Sequence, residues 1–457
     1  MADISAKPID GADLEQLFDD LSRFDEVFLA VSGGVDSCAL MHLAVQWRAL
    51  TDWPGTLHVL SVNHGLRPAA ADEARRVVAQ AACLGLSAVV LDWTGGKPAS
   101  GVQDAARAAR YKLMLDHIRC VSVDPARALL VTAHHREDLA ETLLMRLARG
   151  AGVDGLAAIQ PLSFRDGIAL ARPLLDVTKA RLRATVVAAG DTWIEDPSNA
   201  DLNFERVRLR SRCETRSQLG LDDDKLALTA RRMLRARSAL ERMTDQSLGA
   251  HLSEPLLARC GVFVWPWRAS EVPDEVAVRA LMRLLPALGG VAGPLRLLRA
   301  ERLWDAMQKA GFTGATLGNC VVSRDATGRM YIYREPRRGP LPVVAVDGAQ
   351  RLIWDNRFEI RVLQTPLPHL QVRALARSDL DVLESPAVMQ GWKAPVDALL
   401  ATPVIAAGPD ILAIPALNMH SAVSRAPTDT RISCRFLVER IAGDAAGLVA
   451  GSNCADR

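Results

Sequence analysis

The stretch Val31-Ser32-Gly33-Gly34-Val35-Asp36-Ser37 brings together residue types that can hold a phosphate chain. Adjacent glycines reach backbone conformations closed to other residues, so successive N–H groups can turn toward one anion. A helix starting just behind them would add its unpaired N–H groups and the positive end of its dipole. Ser32 and Ser37 offer hydroxyl donors, and Asp36 is a ready ligand for Mg2+. Two other glycine-rich stretches lack the required setting. Gly95-Gly96-Lys97-Pro98 has neither Walker spacing nor a Ser or Thr after the lysine. Gly150-Ala151-Gly152-Val153-Asp154-Gly155 follows a helical pattern, where a dinucleotide motif needs a strand.

Other titratable residues fall into groups. Asp138 and Glu141 are three apart and share one face of a helix expected to begin near Arg136, with that end open to a nucleotide cleft. Acids in a first helical turn also complement the dipole, so a structural role stays open. His134 and His135 are adjacent, splay apart and have no evident third ligand, which disfavours zinc. Arg107 and Arg110 are either solvated helix charges or contacts to a bound polyanion, and His64 stands in a turn beside Gly65. Residues 204–216 carry five arginines (206, 208, 210, 212 and 216) against Glu205 and Glu214. Such a run suits phosphate contacts weakened by salt, and equally a solvated face.

The elements that must position these residues are legible as apolar runs at 27–31, 57–62, 87–91 and 128–132, alternating with helical patterns at 38–48, 71–84, 101–119 and 136–148. Strand–helix–strand at this rhythm implies a doubly wound, mostly parallel sheet, because a parallel crossover needs a helix to return. Ligands of such sheets sit outside the carboxyl ends of the strands, where the motifs above lie. After about residue 217 the rhythm changes to helices at 223–248, 274–288 and 294–310, then a hairpin at 319–335. The Pro- and charge-rich string 334–342 reads as a linker, followed by a small α+β module. The expected division is 1–215, 216–338 and 339–457.

A chain of 457 residues with net charge +2 is no basic coat protein, so any nucleic-acid surface must be a local patch. At 49% apolar and 24% charged it is no disordered chain. Its eight cysteines form no C-x-x-C pair, which argues against a zinc ribbon or disulfide framework and for reduced thiols in the cytoplasm. The start MADISAKPID has no leader pattern, and no apolar run is long enough to span a membrane.

The loop at 32–37 resembles the pyrophosphate loop of the ATP-pyrophosphatase superfamily. Four further stretches narrow the match: Asn63-His64-Gly65-Leu66-Arg67-Pro68 with Asp72-Glu73; Ala106-Arg107-Ala108-Ala109-Arg110-Tyr111; Ala133-His134-His135-Arg136-Glu137-Asp138 continuing to Glu141-Thr142, Arg146 and Arg149-Gly150; and Asp196-Pro197-Ser198-Asn199 leading to Phe204, Arg206 and Arg210. Taken in this order they resemble the tRNA(Ile)-lysidine synthetases, over about 25–215 and more weakly through 315–335 and Trp354–Phe358. Val207 stands where the family commonly has Asn, and Asp104 where Glu is common.

The resemblance implies an adenine nucleotide alpha hydrolase-like PP-loop fold, with a helical second domain and a small α+β C-terminal domain that grip the tRNA. It implies ATP as substrate, bound by Ser32, Gly33, Gly34, Val35, Asp36, Ser37, His64 and Arg110, with catalysis by Asp36, Asp138 and Glu141. Asp36 and Asp138 would hold Mg2+, or the acids would receive a cationic lysine. Arg206 and Arg210 would contact tRNA. The implied reaction joins free L-lysine to the wobble cytidine of a tRNA(Ile) with a CAU anticodon, without a membrane. The oligomeric state stays open, a homodimer being one option. The alternatives are a tRNA 2-thiolation enzyme of the same superfamily, whose paired cysteines are missing here, and a non-catalytic nucleotide-binding protein.

Overall fold

In the computed structural model, residues 6–441 are described except 66–68, 99–100, 196–200, 202, 204, 269–270, 294, 337–338, 365–368, 384–391, 393, 409, 415–418, 421–430 and 439–440. Chain contacts divide it into two units, one reaching to Arg237 and one beginning at Ser238.

In the first unit the four apolar runs form parallel strands β1 (Glu26–Ala30), β2 (Thr56–Asn63), β3 (Ser87–Asp92) and β4 (Ala128–Thr132). A hairpin not anticipated from sequence, β5 (Leu162–Arg165) and β6 (Ile168–Ala171), completes a six-stranded sheet in the order β3-β2-β1-β4-β6-β5. Its turn is Asp166-Gly167, both at positive φ (50° and 84°), the backbone that a two-residue hairpin loop requires. Only β5 runs antiparallel to its neighbour.

Alternation along β1 sends Val27, Leu29 and Val31 to one face and Phe28 to the other. The first face is covered by α1 (Gly11–Phe18), α2 (Val35–Thr51), α3 (Ala70–Cys83) and α7 (Lys179–Ala188); the second by α4 (Val102–Val121) through Tyr111, Met114, Leu115 and Ile118. Each fully buried Leu or Val contributes roughly 1.5–3 kcal/mol, and β4 is buried at every position, as a strand covered on both faces must be. The helices expected at 38–48, 71–84, 101–119 and 136–148 are α2, α3, α4 and α5 (Arg136–Leu147). Short helices α6 (Val153–Leu156), α8 (Glu205–Ser211) and α9 (Cys213–Gln218) lead to the long α10 (Asp223–Gly249), within which the unit boundary falls.

The second unit has α11 (Pro255–Cys260), β7 (Phe263–Trp265), α12 (Asp274–Gly289) and α13 (Leu297–Met307), then β8 (Gly314–Leu317), β9 (Cys320–Arg324) and β10 (Met330–Arg334). These strands form an antiparallel sheet in the order β7-β10-β9-β8, containing the anticipated hairpin. Next come β11 (Val344–Val346), β12 (Gln350–Trp354), β13 (Phe358–Gln364), β14 (Leu370–Ala374), β15 (Pro403–Ala407), β16 (Asp410–Ile414), β17 (Met419–His420) and β18 (Arg431–Phe436). They form sheets β11-β14-β15-β16-β17 and β12-β13-β18. One hydrophobic core in this unit draws on residues from Leu248 to Ile441. No helix among the described residues is long and apolar enough to cross a membrane.

Candidate active site

The chain crosses from β1 to α2 through Val31–Gly34. Gly33 has φ 84°, and a Cβ there would lie 2.6 Å from Ile194 Cδ1 and 3.2 Å from Val77 Cγ2. Its carbonyl accepts the Ile194 N–H at 2.8 Å. Both the left-handed backbone and the close approach demand glycine. Gly33→Ala should therefore lose roughly 1–3 kcal/mol of stability in urea unfolding. An unchanged midpoint would mean that Ile194 yields and the backbone carries no strain.

Gly34 is the N-cap of α2, and its carbonyl takes the first helical hydrogen bond from Cys38 N at 3.0 Å. The first-turn N–H groups of Val35, Asp36 and Ser37 thus have no intrahelical acceptor. Ser37 is engaged in the loop itself: its hydroxyl donates to Gly34 O at 2.9 Å and accepts from Ser32 N at 3.2 Å. Ser37 braces the turn while Ser32 lies exposed at its mouth.

Strand β4 neighbours β1, while β2 lies on the other side of β1, so the loops after β1 and β4 leave the sheet where the strand order reverses. The second loop ends at His135, the N-cap of α5. His135 N donates to Asp138 Oδ2 at 3.2 Å. The buried ring places Nδ1 2.8 Å from Glu137 Oε2, and Nε2 3.5 Å from both Asp36 Oδ2 and Asp138 Oδ2. An imidazole thus joins the helix after β1 to the helix after β4.

Burial alone would lower the His135 pKa, but hydrogen bonds to Asp36 and Glu137 and the Asp138 charge outweigh it and raise it to about 10. His134, beside it, goes the other way. Burial pushes it down to about 3 against the pull of Asp138, with Arg107, Arg172 and Arg110 adding to the fall, and its Nδ1 lies 2.8 Å from Thr132 Oγ1. At neutral pH one ring is charged and its neighbour is not.

This has a consequence for stability. A folded-state value above the ordinary ~6.5 means that His135 stabilises the fold fully below about pH 6.5, and that this is lost as pH rises toward 10. Thermal melts with a chelator present should show a loss on the order of a few kcal/mol between pH 7 and 10. The loss should be absent in His135→Gln; equal slopes in both proteins would remove the imidazolium from the account.

On its outer side Asp138 Oδ1 faces Arg206 Nη1 at 3.6 Å and Arg210 Nη2 at 3.4 Å. Arg210 grips Glu141 with two bonds, Nε to Oε1 at 2.5 Å and Nη2 to Oε2 at 3.1 Å. Arg206 also donates to Thr142 Oγ1 at 3.3 Å. These arginines are four apart on α8, so both reach the α5 face that carries Asp138 and Glu141. Burial raises the Glu141 pKa, opposed by Arg210. Burial would raise Asp138 as well, but His135, His134 and Arg206 hold it below the usual carboxylate range.

The profile of the PP-loop domain family matches residues 7–216. Over 332 residues the chain is 42% identical to the tRNA(Ile)-lysidine synthase of Bradyrhizobium sp. (strain BTAi1), covering 71% of this chain and 91% of that one. The chain belongs to the tRNA(Ile)-lysidine synthase family. The synthase of Bradyrhizobium diazoefficiens is also 42% identical, over 75% of this chain and 93% of its own. That of Ruegeria pomeroyi is 36% identical over 85% and 87%. Like these relatives, this lysidine synthase family member is a ligase, built on an ATP-using PP-loop domain.

Within this synthase the fold brings together Asp36, Asp138, Glu141, Arg206 and Arg210. Among the described residues no hydrogen bond or ion pair joins His64 or Arg110 to the Asp36–His135 cluster, but the Arg110 charge acts on His134 and on His64, and that of Arg206 acts on Arg110. His64, just past β2, meets Trp93 edge-on at 6.1 Å, and Arg110, on α4, lies 5.6 Å from the Tyr111 ring. Both hold an orphaned buried nitrogen, His64 Nδ1 and Arg110 Nε. Burial lowers both pKa values. Leu66–Pro68, Asp196–Asn199 and Phe204 of the sequence motifs lie outside the described residues. Arg231 and Arg237 are paired with Asp176 at 2.6 Å and Asp154 at 3.2 Å.

Asp36 Oδ1 is buried and has no partner, while Oδ2 shares His135 with Asp138. Mg2+ is commonly held by one or two carboxylates together with substrate phosphates and water, and this pair of acids fits that requirement. Among the described residues no group of three His, Cys, Asp or Glu could hold a metal. Substrate oxygens would have to complete the shell.

Sequence reasoning missed three members of the synthase site. Glu137 accepts from Lys179 N at 3.0 and 3.1 Å, and Lys179 Nζ lies 3.9 Å from Asp36 Oδ2. Lys179 opens α7, where the dipole repels a cation, and that local misfit was a legible signal. For His135 the sequence suggests loop polarity and substrate contact rather than a metal; its position as an N-cap ahead of Glu137 and Asp138 is the clue to its bridging role.

Proposed function

We propose that this protein joins L-lysine to C2 of the wobble cytidine of a tRNA(Ile) with a CAU anticodon, through an adenylated cytidine, releasing AMP and pyrophosphate. The observation that carries this reading is the pairing of the 32–37 loop with the acids of α5 across the sheet reversal, with Asp36 and Asp138 on one imidazole. Family membership supports the tRNA and lysine substrates.

The cytosine C2 oxygen attacks the α-phosphate while pyrophosphate departs toward the loop. The N–H groups of Val35, Asp36 and Ser37 meet the charge of the leaving group, and Gly33 lets the backbone approach it. Mg2+ held by Asp36 and Asp138 would neutralise triphosphate charge and orient it for displacement. The lysine ε-ammonium, with a reference pKa near ~10.4, is received by Asp138 and Glu141, taking the place of Arg210 on these acids. Its amine must shed a proton before attacking C2, and burial makes Glu141 a stronger base than an exposed carboxylate. The target base has to leave its stack, and an anticodon loop offers it in that form.

Segments 216–338 and 339–457 hold the tRNA body. Their cationic surface includes Arg351, Arg361 and Arg435, which surround the single buried carboxylate of Glu359 on the β12-β13-β18 sheet. The test is incubation with labelled lysine, ATP and tRNA transcripts, followed by nucleoside analysis. Lysidine with one AMP per lysine is expected. Formation of ADP, or label outside the wobble cytidine, would overturn the reading.

A further inference from the structure

A cavity lies within the second unit, where β7 ends beside the β9–β10 turn and the end of α13. Its volume is about 420 Å³, in the range of small-ligand sites. Three indoles and three guanidinium groups line it: Trp265, Trp267, Trp304, Arg268, Arg324 and Arg329, with no acid among the described lining residues. Trp265 stands nearly perpendicular to Trp267 at 4.8 Å and tilted against Trp304 at 5.8 Å. The turn is tied by Asp325 Oδ1, which accepts from Thr327 N, Thr327 Oγ1 and Arg329 N at 2.7–2.9 Å. Arg329 is thereby held at the mouth on a closed loop.

Two donors in the wall lack acceptors. Trp265 is 4% exposed, and its Nε1 is buried without a partner. Arg324 donates Nη2 to Met307 O at 2.7 Å, but its Nε is buried and unpaired. Trp304, by contrast, gives its N–H to Asp274 at 2.9 Å. Buried donors are normally satisfied, so orphaned ones in a cavity wall call for a ligand with acceptor oxygens or ring nitrogens. The indoles call for a flat ring, and three guanidinium groups with no acid in the described lining call for negative charge.

We infer that this cavity binds one unstacked nucleotide of an RNA strand, a contact that rests on the tRNA reading above. The base stacks on the exposed side of Trp267 and accepts from Trp265 Nε1 and Arg324 Nε. Arg268 and Arg329, exposed at the rim, meet the phosphates on either side of it. A strand supplies phosphates on both sides and a free mononucleotide does not. Bases of a duplex stay stacked and cannot enter.

Full-length protein with Trp267→Ala or Arg329→Gln tests this by fluorescence anisotropy with a labelled single-stranded RNA hexamer, the same sequence as duplex, and the tRNA transcript. Trp267→Ala should bind hexamer and tRNA about tenfold more weakly, as loss of one stacking platform does, and Arg329→Gln should weaken both with a shallower salt dependence, as loss of one phosphate contact does. KM for tRNA should rise with kcat unchanged. Duplex should bind far more weakly than hexamer and equally to all proteins, and thermal melting should stay that of the parent. Unchanged hexamer and tRNA affinities in both variants would overturn the inference, as would AMP competing at the concentration of the hexamer. Lysidine formation by the parent protein separates the two readings. Lysidine made with unaltered RNA binding in the variants sinks the cavity alone; no lysidine with weakened binding sinks the reaction alone.

Discussion

Asp36→Ala should lower AMP and pyrophosphate formation by roughly 10³-fold, the scale for losing one preorganised electrostatic group, and leave tRNA affinity unchanged. Asp36 occupies the first turn of α2, where its N–H would meet a departing anion, while its side chain shares His135 with Asp138. Its second oxygen is buried and unpaired, so the fold keeps a desolvated acceptor that no protein group uses. Such an atom costs stability and is retained where a substrate or its metal satisfies it. The side chain makes few structural contacts, namely His135 and Lys179, so the variant should fold. Asp36→Asn keeps the shape and removes the charge, and should be nearly as inactive. Full activity in either variant would take Asp36 out of the reaction.

Arg210→Ala should cost roughly 2–3 kcal/mol of stability, at or below the lower end of the range for breaking a buried ion pair because the guanidinium is partly exposed. The cause is the acid left behind: the Glu141 side chain is 2% exposed and would keep a desolvated charge with no cation on it. Its pKa, already raised by burial, should climb further. Glu141→Gln combined with Arg210→Ala should recover most of the loss, and a double-mutant cycle in urea measures the coupling. Simple addition of the two single effects would show that the pair does not fasten α8 to α5. The same arginine has a second readout. Neutralising Arg206 and Arg210 together should weaken tRNA binding and reduce its salt slope by about 1–2. An unchanged slope would confine both to bracing the acids.

The catalytic fold was readable because its signals are local. Each parallel strand is a short apolar run and each crossover helix has its own periodicity, so β1 to β4 and α2 to α5 lie within a few residues of their expected places. The hairpin β5–β6 was not, since Leu162–Arg165 is short and only half-buried, and pairing with β6 makes it a strand. In the second unit single strands could be recognised, but their partners join β13 to β18 across more than sixty residues, which no local pattern encodes.

The site divides the same way. Glycine at 33, acids three apart at 138 and 141, and arginines four apart at 206 and 210 are matters of composition and spacing, and the chain alone determined them. Which charge meets which was decided by the folded molecule. Sheet order sets the loops after β1 and β4 side by side, where Asp36, Glu137 and Asp138 charge His135 against its burial while burial discharges His134, its neighbour in sequence. The long-range contacts of Lys179 with Asp36 and of Arg210 with Glu141 follow from the same enclosure. Covalent order prescribes side-chain types and their period. Desolvation and the distance between charges exist only once distant segments pack together.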